Sequence, residues 1–362
     1  MAQTISTCKD NLKRIFKGNP HQSTAMWGPP GLGKSSILQQ IAEEFDWGLT
    51  DIRLSQFGPD EFRGIPMPSK DGETCKWLRP NFLPKHGSID PFTEKPYKFP
   101  HILVLDEFSC AAIPVRVASL QLINDRRLDT WRAPDDLVIV LAGNRPEDMA
   151  DVEALSAPTK TRLINFTIEP SLKDFKEYTK DKIAPQIISF LEFRPELLLK
   201  LDADAVTMPV PRTWMMLSKT LIGCLGEDWS KTNTKDKRFI SDISIGAVGE
   251  AAATEFVAYW DVFARVNVKE IIEDGKIPDD FAKLGLDVKY ATLYAVLYHC
   301  NKASFNQKIV KNLLLFVEKL PPEFRMQFLM DVKQTFIDKA MEIDEDKFKP
   351  IVRNILTLLQ QT

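Results

Sequence analysis

The chain has 362 residues, with 47 Lys+Arg against 50 Asp+Glu and 44% hydrophobic side chains. That balance supports a folded core, suggests two domains and a helical appendage at roughly 150 residues per domain, and excludes collagenous and disordered classes. A net charge of −3 speaks against coating nucleic acid through bulk positive charge, leaving only groove-local binding open.

The opening Met1-Ala2-Gln3-Thr4 lacks the basic-then-apolar shape of a signal peptide. No apolar run approaches the ~20 residues of a membrane span. Cys8, Cys75, Cys110, Cys224 and Cys300 show no CxxC pairing, so they read as reduced thiols. A cytoplasmic protein without membrane contact is expected.

Thr24-Ala25-Met26-Trp27 reads as a short strand ending at a glycine-rich turn. Ile37, Leu38, Ile41, Ala42 and Phe45 follow at helical spacing, and Asp51–Ser55 alternates like a strand. Ile102–Leu105 and Leu137–Leu141 are continuous apolar runs, the pattern of parallel strands buried on both faces. Alternating strand and helix predicts an α/β fold, a parallel sheet with helices on both faces.

Residues 57–100 interrupt this pattern with dense proline and glycine. Asp71-Gly72, flanked by Ile65–Pro68 and Thr74–Leu78, suggests a projecting hairpin that the prolines confine to an edge ribbon. Beyond residue 170 breakers are few. Phe256, Tyr259, Trp260 and Phe263, like Val310, Leu313, Leu314 and Val317, keep helical spacing. The polar stretch Glu227–Arg238, broken only by Trp229, separates two helical regions. The expected organisation is an α/β domain over 1–170, an all-α lid over 171–226 and a C-terminal helical region over 239–362.

Gly28-Pro29-Pro30-Gly31-Leu32-Gly33-Lys34-Ser35 satisfies G-x-x-x-x-G-K-[ST], with Ser36 next in the helix it opens. Such a loop turns backbone N–H groups inward around phosphate oxygens and adds a helix N-terminus. Lys34 reaches the β- and γ-phosphates of ATP, and Ser35 is a ligand for Mg2+. Asp106 and Glu107 stand at the C-terminal end of a strand, where open α/β sheets bind ligands. Asp106 would hold Mg2+ and Glu107 would polarise the attacking water. Asn144, after the next strand, suits a turn taken alone; beside the carboxylate strand its amide can read the γ-phosphate and the water.

This ordered set resembles the AAA+ ATPase superfamily, and more narrowly its MoxR family. Phe62-Arg63-Gly64-Ile65-Pro66, followed by Asp71-Gly72, sits where that family carries its helix-2 insert. Thr161-Arg162-Leu163 resembles its arginine-finger segment, and Val210-Pro211-Arg212-Thr213 the start of its sensor-2 helix. The likeness covers roughly residues 20–220 and implies a P-loop NTPase core in a ring, usually a hexamer, with ATP between subunits. Carried over by position, Lys34 and Ser35 are Walker A, Asp106 and Glu107 Walker B, and Asn144 sensor 1. Arg162 is then the finger reaching the neighbour's γ-phosphate and Arg212 is sensor 2, with Arg145, Arg126 and Arg127 as rivals for the finger. A guanidinium fork suits the charge spread over phosphoryl oxygens.

The resemblance also implies a chaperone-like remodelling or maturation role on a protein substrate, with a von Willebrand factor A domain partner. The 57–100 insert is then the substrate-handling element through Ile65, Met67 and Trp77, unless it folds back on its own domain. Lys70 and Lys76 make only a thin patch for nucleic acid. Two alternatives stay open: a DNA- or RNA-coupled motor, and a nucleotide-gated scaffold with negligible turnover. His299 and Cys300 read as helix packing, Met326, Phe328, Met330 and Phe336 as helix core, and Glu342–Asp346 as a solvated turn.

Overall fold

The computed structural model describes residues 2–70, 72–148, 160–180, 182–226, 234–277, 281–302 and 305–359. Asp71, Trp229 and most of the expected 227–238 break lie outside the described residues. The chain forms two compact units. The first comprises Met1–Tyr178 with Leu201–Asp204 and Val210–Arg212; the second holds Thr179–Lys200, Ala205–Pro209 and Thr213–Thr362.

The first unit runs α1 (Ile5–Gly18), β1 (Thr24–Trp27), α2 (Lys34–Phe45), β2 (Gly48–Arg53) and α3 (Pro59–Arg63), then the hairpin β3 (Ile65–Pro68) and β4 (Cys75–Leu78). It continues with β5 (His101–Asp106), α4 (Ile113–Asp125), the two-residue strands β6 (Arg127–Leu128) and β7 (Trp131–Arg132), β8 (Leu137–Gly143) and β9 (Ile164–Thr167). Five strands pair in the order β2-β5-β8-β1-β9, every pair parallel. This is the parallel α/β sheet expected from the alternation of strand and helix.

The inner strands β1, β5 and β8 are largely apolar because both of their faces are covered. Ile102, Val104, Val138, Val140 and Met26 point to a core shared with α1 and α2. Leu103, Leu105, Ile139, Leu141 and Trp27 point to one shared with α4 and with Phe62, Phe82 and Phe108. The order places β1 inside the sheet, yet the chain leaves β1 for the far edge at β2 and works back through β5 and β8. That reversal opens a crevice at the carboxyl ends of the strands. The fifth strand, β9, carries no signal in the sequence reading: it is short and sits at the sheet edge, with only Phe166 buried.

The second unit is helical among its described residues. Its helices include Glu250–Ala264 and Gln307–Lys319, both legible as helical patterns. Phe190, Trp214, Phe256 and Tyr259 form one aromatic cluster, with the Trp214 indole N–H donating to the Leu197 carbonyl at 2.8 Å. Phe316, Phe328 and Phe336 form another. Met330, expected in that core, is exposed instead, because it falls on the outer face of helix Pro322–Asp331, whose buried residues are Phe324, Phe328 and Leu329. No described helix is long and apolar enough to cross a membrane.

Candidate functional site

The loop Gly28–Gly33 joins β1 to α2, and two of its glycines have reasons in the backbone. A Cβ on Gly28 would lie 2.6 Å from the carbonyl oxygen of Ile168, a backbone atom that cannot swing away. Gly33, at φ 94°, is the N-cap of α2 in left-handed conformation. Among the described residues no side chain caps α2, and its first turn carries no acid. Its N–H groups and positive dipole end are therefore free for an anion. Leu32 packs against the core between α1 and α2, which anchors the loop.

Lys34 is 8% exposed and lies across the loop. Its Nζ donates to the carbonyls of Gly28 at 2.7 Å and Pro29 at 2.9 Å, and to Asn144 Oδ1 at 3.1 Å. None of these partners carries a charge. Burial pushes its pKa down to about 8; the positive charges of Arg212 and Arg145 push the same way, against the pull of Asp106 and Asp148. A buried ammonium among neutral partners, beside an uncapped helix end, fits a phosphate chain.

Ser35, in the first turn of α2 beside Ser36, donates its hydroxyl to Asp106 Oδ2 at 2.6 Å. One hydroxyl and one carboxylate are the hard oxygen donors that Mg2+ takes from protein when phosphates and water complete its shell. Among the described residues no group of three or more His, Cys, Asp or Glu could hold a metal. Asp106 also accepts from the Glu107 backbone N–H at 2.7 Å. Glu107 adopts left-handed backbone at φ 53°, uncommon for a side-chain-bearing residue, and thereby turns off the strand axis.

Sequence reasoning missed two serines and an aspartate around these groups. The Ser55 hydroxyl, just beyond β2, donates to Glu107 Oε2. Ser109 Oγ accepts from the Asn144 backbone N–H at 3.0 Å. Asp51 keeps solvent contact, yet partial desolvation and the Asp106 and Glu107 charges push its pKa up to about 6. Serines after a strand are too common to single out; only register across β2, β5 and β8 brings these two inward.

The arginines separate by place. Arg212 lies against the loop: a Cβ on Gly31 would meet Val210 Cγ2 at 2.8 Å and Arg212 Cβ at 3.3 Å. Arg145 is clasped by buried Asp148, Nη2 to Oδ1 at 2.7 Å and Nε to Oδ2 at 3.0 Å. Arg126 donates to the carbonyls of Pro134 and Leu137 at 2.8 and 2.6 Å, and exposed Arg127 stands 3.7 Å from Asp125. Arg162 is exposed, and its guanidinium has no partner among the described residues. It precedes Ile164, which pairs with Thr24 at the start of β1, whereas the phosphate loop follows Trp27 at the other end. The structure thus gathers Lys34, Ser35, Asp106, Glu107, Asn144 and Arg212 and leaves Arg162 at the opposite pole.

The hairpin β3–β4 pairs Ile65 with Leu78 and Pro66 with Trp77. Ile65, Met67 and Leu78 share a face and are 62%, 47% and 51% exposed. Trp77 does not join them. Strand alternation turns it to the other face, where the Arg63 guanidinium sits 4.8 Å from its ring and Asp129 pairs with Arg63 at 2.9 Å.

No protein-family model and no curated protein matches this sequence. Among solved structures, the Thermotoga maritima RuvB Holliday junction branch migration motor is similar at 14% identity and a TM-score of 0.38, covering 88% of this chain and 96% of that one. A point mutant of the same protein stands at 13% and 0.38, with the same coverage. A putative ATPase from Cytophaga hutchinsonii stands at 11% and 0.33, covering 97% of this chain and 88% of its own. At such identities and scores, what the site does rests on its own geometry.

Proposed function

We propose that this chain is a Mg2+-dependent AAA+ ATPase that assembles into a ring, a hexamer in the MoxR pattern, and remodels or matures a protein complex with a von Willebrand factor A domain partner. One observation carries the ATPase reading: Lys34, Ser35, Asp106, Glu107 and Asn144 converge from two strand tips and one helix start on the same crevice. Residues 1–170 act as the α/β nucleotide domain, 171–226 as its lid and 239–362 as the C-terminal helical region.

Backbone N–H groups of Gly28–Ser36 and the Lys34 ammonium hold the β- and γ-phosphates. Ser35 and Asp106 hold Mg2+, which when bound draws negative charge off the phosphoryl oxygens. Glu107 accepts a proton from the attacking water, and Asn144 fixes the direction of attack. Arg212 steadies phosphate charge within its own chain, and Arg162 does so in the neighbour's site, which makes hydrolysis depend on assembly.

A protein substrate is favoured by the near-neutral charge and by the apolar face of Ile65, Met67 and Leu78. The test measures ATP turnover with and without duplex DNA, together with assembly state by mass photometry. Turnover indifferent to DNA and a ring formed with ATP are expected. Strong DNA stimulation, or a monomer at saturating ATP, overturns the remodelling reading.

A further inference from the structure

The tip of β8 is held from both sides. Its last residue in register with β1 is Gly143, opposite Trp27, so the Asn144 N–H has no ladder partner. That N–H donates instead to Ser109 Oγ at 3.0 Å, across 35 positions of chain. On the other side the Arg145 N–H donates to Asp148 Oδ2 at 2.8 Å, and Asp148 is locked by the Arg145 guanidinium. Gly143 has no slack, since a Cβ there would stand 2.7 Å from a Trp27 ring carbon and 3.0 Å from Ser109 Oγ.

Ser109 is 3% exposed and lies two residues after Glu107, in the turn Phe108–Cys110 that Glu107 caps. One buried hydroxyl therefore ties the turn bearing Glu107 to the residue whose amide oxygen meets Lys34. A serine serving the fold alone would satisfy that N–H from any direction. This one does so from the loop carrying the proposed base.

We infer that Ser109 is a positioning residue for ATP hydrolysis, setting Asn144 relative to Glu107 so that amide and carboxylate address one water. The inference rests on the ATPase reading above. Ser109 touches no reacting atom and acts through Asn144, so its effect should vanish when the Asn144 amide is gone.

The experiment measures kcat and KM for ATP, with nucleotide affinity by fluorescence titration, in the full chain and in Ser109→Ala, Asn144→Ala and the double variant. Ser109→Ala is expected to lower kcat about tenfold, the effect of losing one aligned hydrogen bond, with ATP affinity within about twofold. Added to Asn144→Ala, it should change kcat less than twofold. Should the alanine variant be insoluble, Ser109→Cys gives the same comparison, because a thiol of similar size accepts hydrogen bonds weakly. With Asn144→Ala slow, a Ser109→Ala protein at full rate, or one losing the same factor in both backgrounds, overturns the inference alone. Asn144→Ala at full rate removes the role given to Asn144, and the inference with it.

Discussion

The Ser35 hydroxyl meets the Asp106 carboxylate at 2.6 Å, one carried on the first turn of α2 and the other on the tip of β5. Two oxygens so placed, from elements that share one core, would offer a small hard cation a preorganised half-shell. Asp106→Asn should raise the Mg2+ concentration for half-maximal turnover at least tenfold, leaving metal-free nucleotide affinity within about threefold. A Mg2+ titration of ATPase rate checks this, and an unchanged midpoint would remove Asp106 from the metal.

Glu107 tests the enzyme reading against the scaffold alternative. Replacing it by Gln keeps size and removes the basic oxygen, so turnover should fall on the order of 10²–10⁴-fold with ATP still bound. Single-turnover kinetics beside equilibrium binding separates the two effects. A rate equal to the parent's would mean that the carboxylate takes no proton.

Lys34 gives ATP affinity a pH dependence with a definite sign. In the free site burial brings its pKa to about 8, while bound phosphates restore the charged form. Below pH 8 the ammonium is charged before and after binding, and affinity is flat. Above it, binding takes up a proton, so affinity should fall by up to tenfold per pH unit until the lysine titrates in the complex. Calorimetry in two buffers of different ionisation enthalpy would count the proton directly.

Gly28 has no room for a methyl group, because the Ile168 carbonyl stands 2.6 Å from where it would go. Gly28→Ala should cost roughly 1–3 kcal/mol of stability and move the loop off its phosphates. Urea unfolding together with nucleotide binding measures both losses.

Arg162 is predicted to act only on a neighbour. Arg162→Ala and Glu107→Gln proteins should each be nearly inactive, a finger being worth about 10³–10⁵ in rate. Mixed, they should regain activity, since a Glu107→Gln subunit can lend its arginine to a subunit that keeps Glu107. A mixture no faster than its parts would put the finger elsewhere.

The phosphate loop, the two carboxylates and four strands are legible in the sequence because each is a local pattern: glycines at fixed offsets, or an apolar run ending in acids. What escapes it depends on register. Ser55 and Ser109 matter only because β2, β5 and β8 bring their following turns to one end of the sheet. Trp77 looks like a contact residue beside Ile65 and Met67 until pairing assigns it to the opposite face of its hairpin, against Arg63. β9 is four residues of mixed polarity at an edge, where burial on one side leaves little imprint on composition.

Trp27 lies beneath much of this. Its ring is packed against Gly143, stands 6.3 Å edge-on from Phe108, and anchors its indole N–H on Asn165 at 2.8 Å, one residue before the phosphate loop begins. A chromophore thus adjoins the start of the loop, the residue before Asn144 and the residue after Glu107. A nucleotide bound on that loop would change the surroundings of this indole, so Trp27 fluorescence is the expected optical readout of the proposed site's occupancy.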